Sequence, residues 1–179
     1  YYGTKAKDTQ AHTWIHVYEK DPTVSLDFMY DATKKDADIG FYVRMSPETA
    51  WVKLGYDIAL QKWYLLDTEA ERDSKLHTVY SEKEYTLKEN EWHKLQIVGS
   101  GSYVSLKIDG QTIFDKVEVI QVGYGRIGAY CTNAALYIDN VNLEFPNGDV
   151  PQDGLIEYTI SDGFYDACVD LAVLDGDNI

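Results

Sequence analysis

Apolar and polar residues alternate along most of the chain, with the two-residue period of strands that bury one face. Over Thr23–Tyr30, Val24, Leu26, Phe28 and Tyr30 share a face. Over Ile39–Met45, Ile39, Phe41, Val43 and Met45 point inward, which leaves Gly40, Tyr42 and Arg44 outside. The run Thr49–Ile58 turns Val52, Leu54 and Tyr56 inward and Trp51 and Lys53 outward. Gln61–Asp67 reads as a further strand, but large residues on both faces leave its register open. Earlier, His12–Tyr18 sets Ile15 and Val17 against His12, Trp14, His16 and Tyr18. Leu76–Tyr80 is a short strand, Glu69–Ser74 a charged turn or short helix, and Ser81–Asn90 a polar connection with Tyr85 and Leu87 tucked in.

The pattern is densest from Glu91 to Phe145, where no segment has the 3.6-residue period of a helix. Trp92–Val98 is broken by Gly99-Ser100-Gly101-Ser102, and Tyr103–Ile108 alternates with Val104, Leu106 and Ile108 on one side. Asp109-Gly110 then predicts a two-residue hairpin, because both central positions of a type I′ turn need positive φ. Ile113 and Phe114 open the return strand, and Arg126–Cys131 and Ala134–Phe145 close the series. Short strands at regular spacing, divided by turn residues, predict an all-β fold of two packed antiparallel sheets over residues 1–145. Residues 146–154 have linker composition, rich in Pro, Gly and Asp. Residues 155–179 carry two apolar runs, Leu155–Ile160 and Ala167–Leu174, which either begin a following domain or dock back on the sandwich.

Composition narrows the partners. A net charge of −14 argues against nucleic acid, whose binding depends on Lys and Arg contacts to phosphate, and against anionic membrane surfaces. No run of 18 apolar residues occurs, so no membrane-inserted helix is expected. Fifteen Tyr and four Trp suit both sheet packing and stacking on sugar rings. The chain starts at Tyr1 and reads as a piece of a longer protein, so a missing leader says nothing about export. Cys131 is expected as a buried thiol, with pairing to Cys168 left open.

Four motifs follow one another in the second half: Trp92-His93-Lys94-Leu95, Val104-Ser105-Leu106-Lys107-Ile108-Asp109-Gly110, Gly125-Arg126-Ile127-Gly128-Ala129-Tyr130 and Tyr137-Ile138-Asp139-Asn140-Val141. In this order they resemble the C-terminal half of a concanavalin-A-like, or laminin-G-like, jelly roll. The resemblance covers residues 91–145 and implies a jelly-roll β-sandwich. In secreted bacterial proteins such domains often serve as carbohydrate-binding modules beside a glycan-degrading catalytic domain, while some members are hydrolases or lyases.

The outward stripe of Tyr42, Arg44, Trp51 and Lys53 is the first candidate ligand site. A sheet packed on one face should be polar on the other, so an outward Trp needs a reason. Indole stacks on a sugar ring and a cation donates to its hydroxyls. Trp63 or Tyr64 would extend this platform. The plainer alternative is a set of cross-strand packing and cation–π pairs covering the sheet. His12, Trp14 and His16 form a second possible patch. Arg44 and Lys53 on an acidic chain hint at an acidic or terminal sugar.

Asp31, Asp36 and Asp38 resemble the oxygen clusters that hold calcium, and Asp139 is a further candidate for a structural calcium. His12 and His16 lie about 13 Å apart on a strand, too far for one metal. Gly123-Tyr124-Gly125-Arg126-Ile127-Gly128 matches a dinucleotide fingerprint, but a strand follows it where a helix is required. No strand carries the paired carboxylates of a jelly-roll glycosidase, and the arginine- and histidine-bearing strands that the resemblance would imply for a lyase are not matched. The function that the resemblance implies is a non-catalytic carbohydrate-binding module of a larger secreted, bacterial glycan-degrading protein. Its partners would be a glycan and neighbouring domains of the same polypeptide. The alternatives are a structural sandwich without sugar binding, or a jelly-roll enzyme.

Overall fold

A computed structural model describes residues 2–5, 10–46, 50–68, 77–82, 84–144 and 156–160. Among them lie β1 (Tyr2–Lys5), β2 (Gln10–Glu19), β3 (Thr23–Ala32), β4 (Asp38–Ser46), β5 (Ala50–Asp57), β6 (Lys62–Asp67) and β7 (His77–Tyr80). The chain continues through β8 (His93–Ser100), β9 (Tyr103–Ile108), β10 (Gln111–Glu118), β11 (Gly125–Thr132), β12 (Ala134–Glu144) and β13 (Ile156–Ile160). Two antiparallel sheets result, ordered β1-β12-β3-β8-β9-β10 and β13-β2-β11-β4-β5-β6-β7. Over the described residues the predicted all-β sandwich is the observed fold. Strands distant in sequence interleave, and the turn at Asn133, with φ 51°, carries the chain directly from one sheet to the other.

Alternation builds the core. Val24, Leu26, Phe28 and Tyr30 of β3 are buried, as are Ile39, Phe41 and Val43 of β4 and Val52, Leu54 and Tyr56 of β5. The β3 residues share the six-stranded sheet with buried Leu95, Ile97, Val104, Leu106 and Ile108, and together these face the β4 and β5 residues of the other sheet. Phe28 sits at the centre, edge-on to Phe41 at 5.4 Å and to Trp63 at 6.2 Å between ring centroids. Cys131 is buried on the inner face of β11, while Cys168 lies outside the described residues. Of the run predicted over Leu155–Ile160, Ile156–Ile160 is seen as β13, which pairs with β2 at the edge of the seven-stranded sheet.

The Asp109-Gly110 turn takes the predicted conformation, with φ of 50° and 78°. Its carboxylate also fastens the neighbouring strands. Asp109 accepts from His93 Nδ1 at 2.7 Å, the Lys94 N–H at 2.8 Å and the Tyr85 hydroxyl at 3.1 Å. Burial raises the Asp109 pKa, but these donors outweigh it and hold the carboxyl below its usual range. The His93 and Asp109 of the family-like motifs thus anchor the polar connection before β8 onto the β8–β9 hairpin.

Candidate functional site

The outer face of the seven-stranded sheet presents a row running Tyr130 (β11), Gly40 (β4), Gly55 (β5), Tyr64 (β6) and Tyr80 (β7), each residue the cross-strand partner of the next. Two glycines in mid-strand remove the side chains that would stand between Tyr130 and Tyr64. Both rings fold over the gap, and their hydroxyls meet at 2.9 Å. A β-carbon at Gly40 would come within 2.7 Å of the Tyr130 ring, and one at Gly55 within 2.5 Å of the Tyr130 and Tyr64 hydroxyls.

One carboxylate ties the row together. Asp38 Oδ2 accepts from Tyr64 at 2.8 Å, from Tyr130 at 3.0 Å and from Lys53 Nζ at 3.0 Å. The ammonium also lies 3.8 Å from the Tyr130 ring centroid. Burial pulls the Lys53 pKa below its ordinary range, and Asp38 partly offsets this. Burial first, then the Asp38 charge, pushes the Tyr64 and Tyr130 phenols well above theirs. Lys53 and Asp38 nonetheless reach solvent, with side chains 14% and 28% exposed. Beside them Tyr42 packs against Tyr130 at 5.1 Å and edge-on to Trp51 at 6.3 Å. The result is a closely packed aromatic cluster, with Tyr130 and Tyr42 buried, that carries one donor and one acceptor at its solvent edge, the functional groups that read hydroxyl pairs.

The expected residues divide. Tyr42, Trp51 and Lys53 do share the outer face, with Tyr42 and Lys53 direct cross-strand partners. Arg44 does not join them. It sits at a β-bulge with φ 56°, where the register shifts between Val43 and Ser46, and its side chain is 0% exposed. Its guanidinium bonds the Lys20 carbonyl at 2.6 Å, the Gln121 carbonyl at 3.1 Å and Asp21 at 3.2 Å, pinning two loop segments at one end of the sandwich. Trp63 points the other way, into the core against Phe28 and Tyr56, because β6 turns Trp63 and Leu65 inward and Tyr64 outward. The register places His12 beside Tyr130 and Trp14 beside Gly128.

Among the described residues, no group of three or more His, Cys, Asp or Glu is placed to hold a metal ion. Asp36 accepts from Asn133 Nδ2 at 3.1 Å, Asp38 serves the tyrosine–lysine cluster, and Asp139 accepts the Asn140 N–H at 2.8 Å. Asp31 pairs with Ala135 across the β3–β12 ladder. Tyr130 was not singled out from sequence, and the paired glycines inside β4 and β5 were its readable signal. No helix among the described residues is long and apolar enough to cross a membrane.

No family model and no curated protein matches this sequence. Solved structures do. The carbohydrate-binding module CBM66 from Bacillus subtilis superposes with a TM-score of 0.64 at 12% identity, over 79% of this chain and 85% of that one. The galectin LEC-6 of Caenorhabditis elegans gives 0.56 at 11% identity, over 78% of this chain and 95% of that one. A Crh5 transglycosylase in complex with NAG gives 0.62 at 9% identity, over 82% of this chain and 72% of that one. The fold is a jelly-roll β-sandwich. At such identities the likeness carries the architecture alone, and the jelly roll's outer sheet face must be read from its own residues.

Proposed function

We propose that this jelly roll is a non-catalytic carbohydrate-binding module, and that Trp51, Lys53, Asp38 and Tyr64 form its glycan-contacting face, with the buried Tyr42 packed beneath them. The observation that carries this reading is the Lys53–Asp38 pair held at the solvent edge of a tyrosine floor. A sheet face needing only solubility would carry dispersed charges, whereas this one builds a shaped donor–acceptor pair over aromatic rings. The sugar-binding names of CBM66 and the galectin among the structural relatives support it. In this reading the domain is exported and attached to a larger glycan-degrading polypeptide, where repeated weak contacts supply avidity.

The test is a broad glycan array with the whole chain, run with calcium and again with chelator. Binding to one glycan class, weakened by Lys53→Ala and by Trp51→Ala, is the expected result. Loss of binding with chelator would assign calcium a structural role. Binding indifferent to both substitutions would move the site elsewhere, and silence across the array would favour a sandwich that serves only to pack against neighbouring domains. Turnover of any bound polysaccharide by this chain would make it an enzyme.

A further inference from the structure

Resting on that reading, we infer that the ligand is a neutral polysaccharide chain bound along its length, which leaves the tyrosine floor at Tyr80 and continues into the groove between the two sheet edges. Among the described residues, β7 and β10 are the edge strands of the two sheets on one side of the sandwich. Between them runs a groove of about 650 Å³. Val79, Ile113, Phe114 and Val117 give it an apolar lining, and Gln111 and Thr112 add polar groups.

Tyr80 joins this groove to the outer face. It is the cross-strand partner of Tyr64, their rings lie 5.8 Å apart, and it also lines the groove. It is 45% exposed, unlike the tyrosines of the floor, so its ring face is open to a ligand. Four strand spacings separate Tyr130 from Tyr80, about 19 Å across the sheet. That distance exceeds one sugar ring, and the groove lengthens it. A binder of chain ends would need a wall at this edge, and none stands there among the described residues.

Charge selects a neutral chain. Lys53 is already paired with Asp38, and Arg44 is buried at the end of the sandwich, so neither offers a free cation on this path and the sequence's hint of an acidic sugar loses its basis. Glu82, Glu84 and Asp115 line the groove. They repel a polyanion and accept from the hydroxyls of a neutral one.

The test measures affinity by calorimetry for oligosaccharides of increasing length, from disaccharide upward, in the β-glucan and N-acetylglucosamine series. The expected gain from short to long is on the order of tenfold, the worth of one added aromatic contact. Tyr80→Ala should abolish that gain. Thr112→Trp, a change at an exposed edge position that fills the groove, should abolish it too. Affinity independent of length in the wild type, or a gain retained by both variants, overturns the inference while leaving the module reading intact. Binding confined to anionic glycans overturns the neutral chain. Failure of every series together with silence on the glycan array overturns both readings.

Discussion

Gly55 leaves no room for a β-carbon beneath Tyr64, because an added methyl would press on its ring and hydroxyl. The missing side chain lets Tyr64 lie down and reach both Tyr130 and Asp38. Gly55→Ala should therefore displace the ring. Overpacking of this kind costs about 1–3 kcal/mol, to be read as a lower urea midpoint, and glycan affinity should fall with it. Unchanged stability would show that the floor adapts and that the glycine is incidental.

Arg44 tests the end of the sandwich instead. Its guanidinium is wholly buried among carbonyls and Asp21, with Asp67 close enough to favour its charge. Asp67 in turn accepts from the backbone N–H groups of Ile120 and Gln121. Removing one member of a buried charged network costs about 3–5 kcal/mol, so Arg44→Ala should lower the urea midpoint sharply. Arg44→Lys should not rescue it, since one ammonium cannot replace the guanidinium fork. A variant of native stability that lost glycan binding would return Arg44 to the ligand site.

The strands were legible because a period of two leaves little choice over which face is buried, as Val24 to Tyr30 show. Arg44 escaped because a single bulge shifts the register by one residue, and nothing in Val43-Arg44-Met45 announces it. Trp63 escaped because β6 has large side chains on both faces, so alternation could not decide between Trp63 and Tyr64. The tyrosine cluster is harder still. Asp38 lies 26 positions from Tyr64 and 92 from Tyr130, and only the strand order brings them together.

Acid should loosen the β8–β9 hairpin. Asp109 is held below the usual carboxylate range in the folded protein, so its contribution is complete above the unfolded value, about pH 4, and is lost as pH falls through the folded one. The Asp109→Asn variant should be less stable at neutral pH and show a shallower loss of stability on acidification. Parallel acid curves for the two proteins would refute the linkage.

Alkali reports on the packed tyrosines of the core and of the outer-face cluster. Burial raises the phenols of Tyr30, Tyr42, Tyr56, Tyr64 and Tyr130, while Tyr85 is pushed up to about 12. Raised folded values mean that their contribution is full below the unfolded pKa, about 10, and is lost as pH climbs above it. A spectrophotometric titration should show a subset of the tyrosines ionising late, together with unfolding. Fifteen tyrosines titrating as one group with the fold intact would contradict the burial of this cluster.

Two tryptophans separate the site from the scaffold. Trp63 is 0% exposed and packs on Phe28 and Tyr56, so Trp63→Ala should cost about 3–5 kcal/mol. Trp51 stands on the outer face with a single edge contact to Tyr42 described, and Trp51→Ala should cost about 1 kcal/mol or less. Glycan affinity should respond in the reverse order: Trp51→Ala weakens binding at a temperature where both variants are folded, and Trp63→Ala does not. Chemical melts paired with affinity electrophoresis on one polysaccharide give both readings from the same samples. If Trp51→Ala bound like wild type, the floor would be a packing surface, and a neighbouring domain would be the partner to seek.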